Sequence, residues 1–206
     1  MVMTAEKRIE GFAIVSVDGM LADANRVIPA ALIVPADQKF FHDSLAGAAL
    51  VVHGRHSHEG GAHADGRHRL VLTSRVNSVA PNTMHPKSLW WNPKGATLDE
   101  AWKELGAPSG LCAVIGGPDV FDLFLDIGYD AFHLTRAPAV RLPGGRPVFR
   151  DVAHGRAPED ILASRGLLPG PVRLLDRTAG VTLVTWSCAT ASRRTRSVPS
   201  ALWGEG

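Results

Sequence analysis

Apolar residues along the chain fall into short runs separated by more polar segments. Each run is five to ten residues long and rich in β-branched and large apolar side chains, as expected for strands buried in a sheet. Six such runs lie at residues 8–17, 48–53, 69–73, 88–92, 111–115 and 130–135. Two more, at residues 172–177 and 181–188, are joined by Thr178-Ala179-Gly180, which predicts an antiparallel hairpin near the C-terminus.

The segments between these runs carry helix signals. Proline near the first turn predicts a helix over residues 35–45, and Thr97 with Glu100 forms the signature of a capping box for a helix ending at Leu105. Helical spacing of apolar residues predicts a helix over residues 119–125, and a short helix is expected over residues 158–166. Residues 20–34 and 136–147 show neither period and are predicted to be loops. The alternation indicates an α/β fold with a mainly parallel sheet and an antiparallel C-terminal edge.

Composition narrows the class of protein. A chain of 206 residues that is 45% hydrophobic and 20% charged predicts one globular domain, here residues 1–191, followed by a flexible basic tail at 192–206. The net charge of +2, from 22 basic and 20 acidic residues, argues against a nucleic-acid or membrane-surface binder. Cys112 and Cys188 are the only cysteines and no signal-peptide pattern is present, so we expect a cytoplasmic protein.

Glycines mark the junction between the predicted strand at 111–115 and the helix that follows. Gly116 and Gly117 would let a ligand approach the main chain, and the first N–H groups of the helix have no internal partner and favour an anion such as phosphate. A tight strand-to-helix turn without a ligand remains the alternative.

Two other predicted strands end in residues suited to anions. Gly54-Arg55-His56-Ser57 follows the strand at 48–53, and Ser74-Arg75 follows the strand at 69–73. An arginine at a strand end can hold the 2′-phosphate of NADP, whereas a solvated arginine is the structural alternative.

Histidines are frequent in the segment that follows residue 53, at positions 53, 56, 58, 63 and 68. Their spacing matches no familiar metal motif and no cysteine lies near, so we predict no metal site.

Asp37 is the acid of most interest. It lies one turn before Phe41 on the same face of the predicted helix, so that an acid and an aromatic ring share a surface. The alternative is an acidic residue in the first helical turn that only stabilises the helix dipole.

Six stretches in this order resemble the dihydrofolate reductase fold: residues 13–22, 35–41, 51–57, 66–75, 114–121 and 134–135. A P-loop and a Rossmann G-x-G-x-x-G are both absent, which argues against the main competing nucleotide folds. The resemblance implies a three-layer α/β fold with helices on both faces of the sheet.

The resemblance also implies NADPH as the cofactor and assigns residues to its parts. Gly54, Arg55, His56, Ser57, Leu72, Thr73, Ser74 and Arg75 match the segments for the adenosine half, with Arg55 and Ser74 nearest the 2′-phosphate. Ile115, Gly116, Gly117, Pro118, Asp119, Val120 and Phe121 match the turn under the pyrophosphate and nicotinamide ribose. Ile14 and Leu21 would flank the nicotinamide.

For the substrate, the resemblance implies a small molecule, a pterin or an aminopyrimidine. Asp37 matches the lone active-site carboxylate that pairs with the amidine-like edge of a pterin, and Thr135 matches the residue bound to the same group. Phe41 would pack on the ring, and Arg67 occupies the place of the arginine that grips the glutamyl carboxylate of folate. The resemblance is also compatible with a homodimer.

Two alternatives to a dihydrofolate or pterin reductase stay open. The reductase of riboflavin biosynthesis, which reduces a ribosyl-aminopyrimidine phosphate, shares the turn seen here as Ser16-Val17-Asp18-Gly19. That branch lacks the acid on the helix and the Arg67-type grip. A further departure is Ala30, which stands where dihydrofolate reductases carry a tryptophan. The second alternative is an NADPH-binding protein that catalyses no reaction.

Overall fold

The computed structural model of the protein describes residues 6–57, 66–83 and 85–189. Its strands are β1 Arg8–Ser16, β2 Met20–Ala22, β3 Ala48–Gly54, β4 Arg69–Leu72, β5 Val79–Pro81, β6 Ser88–Trp91, β7 Leu111–Val114, β8 Ala131–Ala137, β9 Arg146–Pro147, β10 Leu167–Pro169, β11 Arg173–Asp176 and β12 Val181–Cys188. Its α-helices are α1 Pro35–Ala46, α2 Leu98–Leu105, α3 Pro118–Ile127 and α4 Pro158–Ser164. Every predicted strand and helix is present.

Ten strands form one mixed sheet in the order β10-β12-β8-β1-β7-β3-β4-β6-β5, with β11 paired to β12. The neighbours from β8 to β6 are all parallel. Strands β5, β10, β11 and β12 run antiparallel to their partners. The prediction of a mainly parallel sheet with an antiparallel C-terminal hairpin is confirmed.

Helices cover both faces of this sheet, as the side chains of β3 show. Val51 packs in a cluster with Leu45 of α1. Leu50 belongs to the larger core cluster, with Trp102 of α2 and Phe124 of α3. Because successive side chains of a strand point to opposite faces, α1 lies on one face of the sheet and α2 and α3 lie on the other.

The predicted loop over residues 20–34 is partly ordered by a second, two-stranded sheet. Strand β2 pairs antiparallel with β9, which places Met20 opposite Pro147 and Ala22 opposite Arg146. A short 3-10 helix at Ala30–Leu32 follows. These elements were not predicted, since strands of two or three residues carry no detectable period.

Two short strands and one loop boundary also differ from the predictions. Strands β5 and β10, of three residues each, were not predicted for the same reason. The loop predicted from residue 136 was wrong at its start, because Arg136 and Ala137 continue β8 by pairing with Val15 and Ser16 of β1. The predicted tail at 192–206 lies outside the described residues. Within the described ranges, no helix combines the length and the apolar character needed to cross a membrane.

Candidate active site

The carboxyl ends of the parallel strands meet at one edge of the sheet, where two cavities open side by side. One cavity, of about 470 Å³, contains Asp37 and is called the Asp37 cavity. The other, of about 680 Å³, contains Arg55 and is called the Arg55 cavity. The two share lining residues and so adjoin; these are His56, Ser57, Gly117, Pro118 and Arg146. Together they form a site of the kind that open α/β sheets present at the carboxyl ends of their strands.

The acid in the first cavity is held by a threonine distant in sequence. Asp37 lies in the first turn of α1, and Thr135 lies on β8, where it is buried. The Thr135 hydroxyl donates a hydrogen bond of 2.5 Å to Asp37 Oδ1. Burial raises the pKa of Asp37, and this hydrogen bond opposes the rise without cancelling it. The pair therefore presents a desolvated carboxyl group to the cavity.

Aromatic side chains form much of the wall beside Asp37. Phe12 stacks on the ring of His133 with centroids 4.6 Å apart, and the ring of Phe41 lies edge-on to Phe12 at 6.2 Å. His133 is fixed by hydrogen bonds of 3.0 Å to Glu10 and to Thr185. An apolar, aromatic wall with one acid suits a flat ring that carries polar atoms on one edge.

The Ser16-Val17-Asp18-Gly19 turn supports the part of the cavity wall that Leu21 forms. Ser16 Oγ donates to Asp18, and the backbone N–H of Leu142 donates to both Asp18 oxygens at 3.0 and 3.1 Å. Burial raises the pKa of Asp18, but these hydrogen bonds outweigh it and the pKa is lowered. Met20 N–H donates to Ser16 Oγ at 3.0 Å, so the turn fixes the start of β2 and thereby Leu21, which lines the cavity.

The glycine junction after β7 lies where the two cavities meet. Gly116 and Gly117 have φ values of 130° and 40°, in the region that favours glycine. The Gly54 N–H donates to the Gly116 carbonyl at 2.9 Å, which ties this junction to the end of β3. A Cβ on Gly117 would meet only Ser57 Oγ, at 3.8 Å, so the backbone is open on the cavity side. The junction can accept a ligand close to the main chain.

The Arg55 cavity is built from strand ends and is cationic. It is lined after β3 by Arg55 and after β6 by Lys94, with Arg146 at the border. None of the three makes an ion pair with a carboxylate of the described residues. The acid in this lining, Asp119, is compensated by Arg150 at 2.8 Å. The cavity thus offers positive charge to phosphate groups.

Most residues singled out from the sequence meet at these cavities. The Asp37 cavity is lined by Ile14, Leu21, Asp37, Phe41, Ile115, Gly116, Phe121 and Thr135, and the Arg55 cavity by Gly54, Arg55, Leu72, Thr73, Ser74, Asp119 and Val120. His56, Ser57, Gly117 and Pro118 line both.

Two predicted residues are not brought to either lining. Arg75 is exposed beyond Ser74, with its N–H bonded to Thr73 Oγ1 at 3.1 Å. Arg67 precedes β4, at the amino end of that strand, whereas the cavities lie at the carboxyl ends. Arg67 was suggested by its position along the chain. That position does not specify at which end of a strand the residue lies.

Other lining residues were missed by sequence reasoning. Lys94 follows β6 as Arg55 follows β3, so the strand-end rule could have found it. His133 alternates with Thr135 on β8 and could have been found by strand period. Arg26 and Arg146 had no signal, since they reach the site through the β2–β9 pairing.

Only part of the histidine-rich segment lies within the described residues. Positions 58 and 63 lie outside the described residues. His53 is buried and its Nδ1 lies 2.8 Å from the Gly54 carbonyl oxygen. Among the described residues no group of three or more His, Cys, Asp or Glu side chains is arranged to hold a metal ion.

Comparisons with known proteins agree with this architecture. No model of a protein family matches the sequence, and no curated protein matches it significantly. A protein from Shewanella sp. PV-4 named for riboflavin biosynthesis matches in structure with a TM-score of 0.59 and 19% identity, over 87% of this chain and 98% of that one. Dihydrofolate reductase from Enterococcus faecalis, complexed with NADP(H) and RAB-propyl, matches with a TM-score of 0.54 and 16% identity, over 89% and 97%.

A third similar structure is a longer protein. The diaminohydroxyphosphoribosylaminopyrimidine deaminase/5-amino-6-(5-phosphoribosylamino)uracil reductase from Thermotoga maritima matches with a TM-score of 0.59 and 15% identity, over 89% of this chain and 57% of that one. All three likenesses extend over most of this chain, with TM-scores of 0.54 to 0.59. The chain therefore has the dihydrofolate reductase-like fold.

Proposed function

We propose that the protein is an NADPH-dependent reductase that transfers a hydride to a C=N bond of dihydrofolate or a related pterin. The observation that carries the proposal is the Asp37–Thr135 pair, a desolvated carboxyl group in an aromatic-walled cavity that adjoins a cationic one. The first cavity suits a ring with an amidine-like edge, and the second suits phosphates.

The residues of the Arg55 cavity fit NADPH by their chemistry. Arg55 and Ser74 supply charge and a hydroxyl for the 2′-phosphate, and the open backbone at Gly116 and Gly117 suits the pyrophosphate. Ile14 and Leu21 supply apolar surface for the nicotinamide. When bound, NADPH would supply the hydride.

Asp37 would both orient the substrate and favour its protonation. Because Thr135 already donates to Oδ1, Oδ2 is left to accept an N–H of the ring. A carboxylate removed from water is stabilised by a cationic partner, so it raises the basicity of the ring nitrogen that takes the proton. The wall of Phe12, Phe41 and His133 would hold the ring in one orientation.

A riboflavin-type reductase is the second candidate. Two similar structures carry names from riboflavin biosynthesis or its uracil reductase, and the Ser16-Val17-Asp18-Gly19 turn is the sequence feature that favours it. On this proposal the Asp37 cavity would hold an aminopyrimidine. The acid on α1 favours the pterin instead, since the resemblance implies no such acid in the riboflavin branch.

The test is NADPH oxidation by the purified protein with dihydrofolate, with the ribosyl-aminopyrimidine phosphate and with no added substrate. Turnover with dihydrofolate supports the proposal. Turnover with the aminopyrimidine alone would instead assign the riboflavin-type reaction to the protein. Tight NADPH binding without turnover of either compound would make it a binding protein. The Asp37→Asn protein, prepared in parallel, controls for contaminating reductases.

A further inference from the structure

Two arginines distant in sequence meet at the Asp37 cavity through the small β2–β9 sheet. Arg146 lies in β9 opposite Ala22 of β2, and Arg26 follows β2 in the next turn. Both residues line the Asp37 cavity. Arg26 is exposed and Arg146 half-buried, which places them at its rim.

The turn that carries Arg26 is held by its own hydrogen bonds. Asp23 Oδ1 accepts the N–H groups of Asn25 and Val27, both at 2.8 Å, and the Arg26 N–H donates to the Asp23 carbonyl at 3.0 Å. Arg26 is the one non-glycine residue among the described residues with positive φ, at 68°. Non-glycine residues in this region are strained and concentrate at functional sites. An arginine, rather than a glycine, in this position calls for a role of its side chain.

The charges of the two arginines are not neutralised within the described protein. Arg136 and Arg150 pair with Glu159 and with Asp119, whereas neither Arg26 nor Arg146 has a carboxylate partner among the described residues. In the described lining of the Asp37 cavity the single carboxylate is Asp37, which is hydrogen-bonded to Thr135. Among the described residues, a ligand of this cavity would meet one acid and two arginines that have no carboxylate partner.

We propose that Arg26 and Arg146 form an anion site at the rim of the Asp37 cavity, and that the substrate carries a carboxylate or a phosphate. The inference rests on the proposed function, and it assigns the anion to residues other than Arg67. Guanidinium groups bind carboxylate and phosphate through paired hydrogen bonds, so either group fits.

Arg26 lies on the Asp37 side of the site, and on that ground we assign the anion to the substrate. The Asp37 cavity also contains Gly116, which the proposed function gives to the cofactor pyrophosphate, so the Kd for NADPH in Arg26→Gln tests this assignment. Arg26 lines the Asp37 cavity and not the Arg55 cavity, whereas Arg146 borders both. Arg55 and Lys94 remain for the phosphates of NADPH. Loss of the Arg26 side chain should therefore weaken binding of the substrate alone. Loss of the Arg146 side chain should weaken binding of both the substrate and NADPH.

The test compares anionic substrates with neutral counterparts in Arg26→Gln, Arg146→Gln and the control Arg177→Gln. Arg177 is exposed beside the β11–β12 turn and lines neither cavity. The pairs are dihydrofolate with a dihydropterin that lacks the glutamyl tail, and the ribosyl-aminopyrimidine phosphate with its dephosphorylated form. The pair that responds identifies the anion as carboxylate or phosphate.

We expect Arg26→Gln to lower kcat/KM for the anionic member about tenfold or more, with the neutral member and the Kd for NADPH unchanged. Arg177→Gln should change none of these. Arg26→Gly removes the same charge without the strain, so the same loss with an undiminished Tm excludes misfolding as its cause. An equal loss for both members, or a weaker NADPH complex in Arg26→Gln, overturns the inference.

Calorimetric titration of the NADP⁺-saturated protein separates this inference from the proposed function. Binding of an anionic compound that is weakened in Arg26→Gln, without any turnover, supports the anion site and refutes the reductase. Turnover of neutral and anionic compounds with equal kcat/KM supports the reductase and refutes the anion site. Binding of neither dihydrofolate nor the aminopyrimidine phosphate refutes both.

Discussion

The Asp37 cavity and the Arg55 cavity share one edge of the sheet but are built in different ways. Side chains of α1, β1 and β8 make the Asp37 cavity, with aromatic walls and one desolvated acid. Turns after β3, β4, β6 and β7 make the Arg55 cavity, with open backbone and with cations that have no carboxylate partner among the described residues. The first can distinguish ring systems by shape and by the placement of one charge, whereas the second can bind phosphate with little dependence on side-chain shape.

The strand order explains why the two cavities lie side by side. The Asp37 cavity lies along β8, β1, β7 and β3, and the Arg55 cavity continues past β3 to β4 and β6. Their border is the β3–β7 pair, whose ends carry Ser57 and Gly117. A ligand that reaches from one cavity to the other must cross the glycine junction. Binding in both cavities therefore depends on the residues of this junction.

The largest effect should come from the acid. Asp37→Asn keeps the size and a hydrogen bond to Thr135 but removes the charge that favours a protonated substrate. We expect single-turnover hydride transfer to fall by about two to four orders of magnitude at neutral pH, and the loss to ease as pH falls and solvent protonates the substrate. The Kd for NADPH should be nearly unchanged, because Asp37 lies outside the lining of the Arg55 cavity, whose Arg55 and Ser74 we propose to hold the 2′-phosphate. An unchanged rate per folded molecule would show that Asp37 only stabilises the helix.

The next effect concerns the border. Gly116→Ala places a side chain at a φ of 130°, which costs about 1–3 kcal/mol of stability, and puts a methyl group where the cofactor would approach. We expect a lower Tm together with weaker NADPH binding, measured by thermal unfolding and by titration. Gly47→Ala is the matched control, since Gly47 has a φ of −95° and its added Cβ meets nothing. A normal Tm and normal binding in Gly116→Ala would show that the junction tolerates side chains.

The charge of the Arg55 cavity is tested by cofactor preference. Arg55→Gln should narrow the preference for NADPH over NADH by about 1.5–3 kcal/mol, the range for hydrogen bonds to charged groups, mainly through a larger Kd for NADPH. Arg75→Gln removes the same charge from a residue outside both linings and should leave the preference unchanged. Equal effects of the two substitutions would mean that the 2′-phosphate is held by general attraction and not in this cavity.

The smallest effect is on stability and has a defined sign. Because burial raises the pKa of Asp37 above its usual value of 3.8, the folded protein binds this proton more tightly than the unfolded chain does. The ionised carboxylate therefore destabilises the fold above the folded-state pKa, and this penalty disappears as pH falls below 3.8. We expect Asp37→Asn to have a slightly higher Tm than the parent at neutral pH and the same Tm in acid. A lower Tm at neutral pH would contradict the assigned desolvation.

The sequence predicted well those features that neighbouring residues decide among themselves. The capping box is an example: Glu100 N–H donates to Thr97 Oγ1 at 3.2 Å and Thr97 N–H donates to Glu100 Oε2 at 2.7 Å, as the four-residue signature implies. The glycine junction is another, since Gly116 and Gly117 do adopt positive φ between a strand and a helix. Such features depend on local backbone chemistry, and the residues that carry them are adjacent in the chain.

Features that depend on contacts between distant segments could not be predicted from the sequence. The sequence does not predict the direction of the pKa shift of Asp37. Both causes of the shift, burial and the hydrogen bond from Thr135, arise where α1 packs against β8. Arg67 has a suitable side chain and position in the chain, yet it lies at the amino end of β4, away from both cavities. The pairing of β2 with β9, too short to leave a period, brings Arg26 and Arg146 to the Asp37 cavity.

By itself the sequence determined the order and type of the main elements and the turn chemistry at their ends, because period, capping and glycine conformation act over a few residues. Arg55, Ser74 and Gly117, which follow parallel strands, line one cavity together, since the carboxyl ends of such strands meet at one edge of the sheet. Tertiary structure alone decided which charges are desolvated, which arginines lack a carboxylate partner among the described residues and which loop forms the rim. Those properties depend on what surrounds a side chain in space, and a linear pattern does not contain that information.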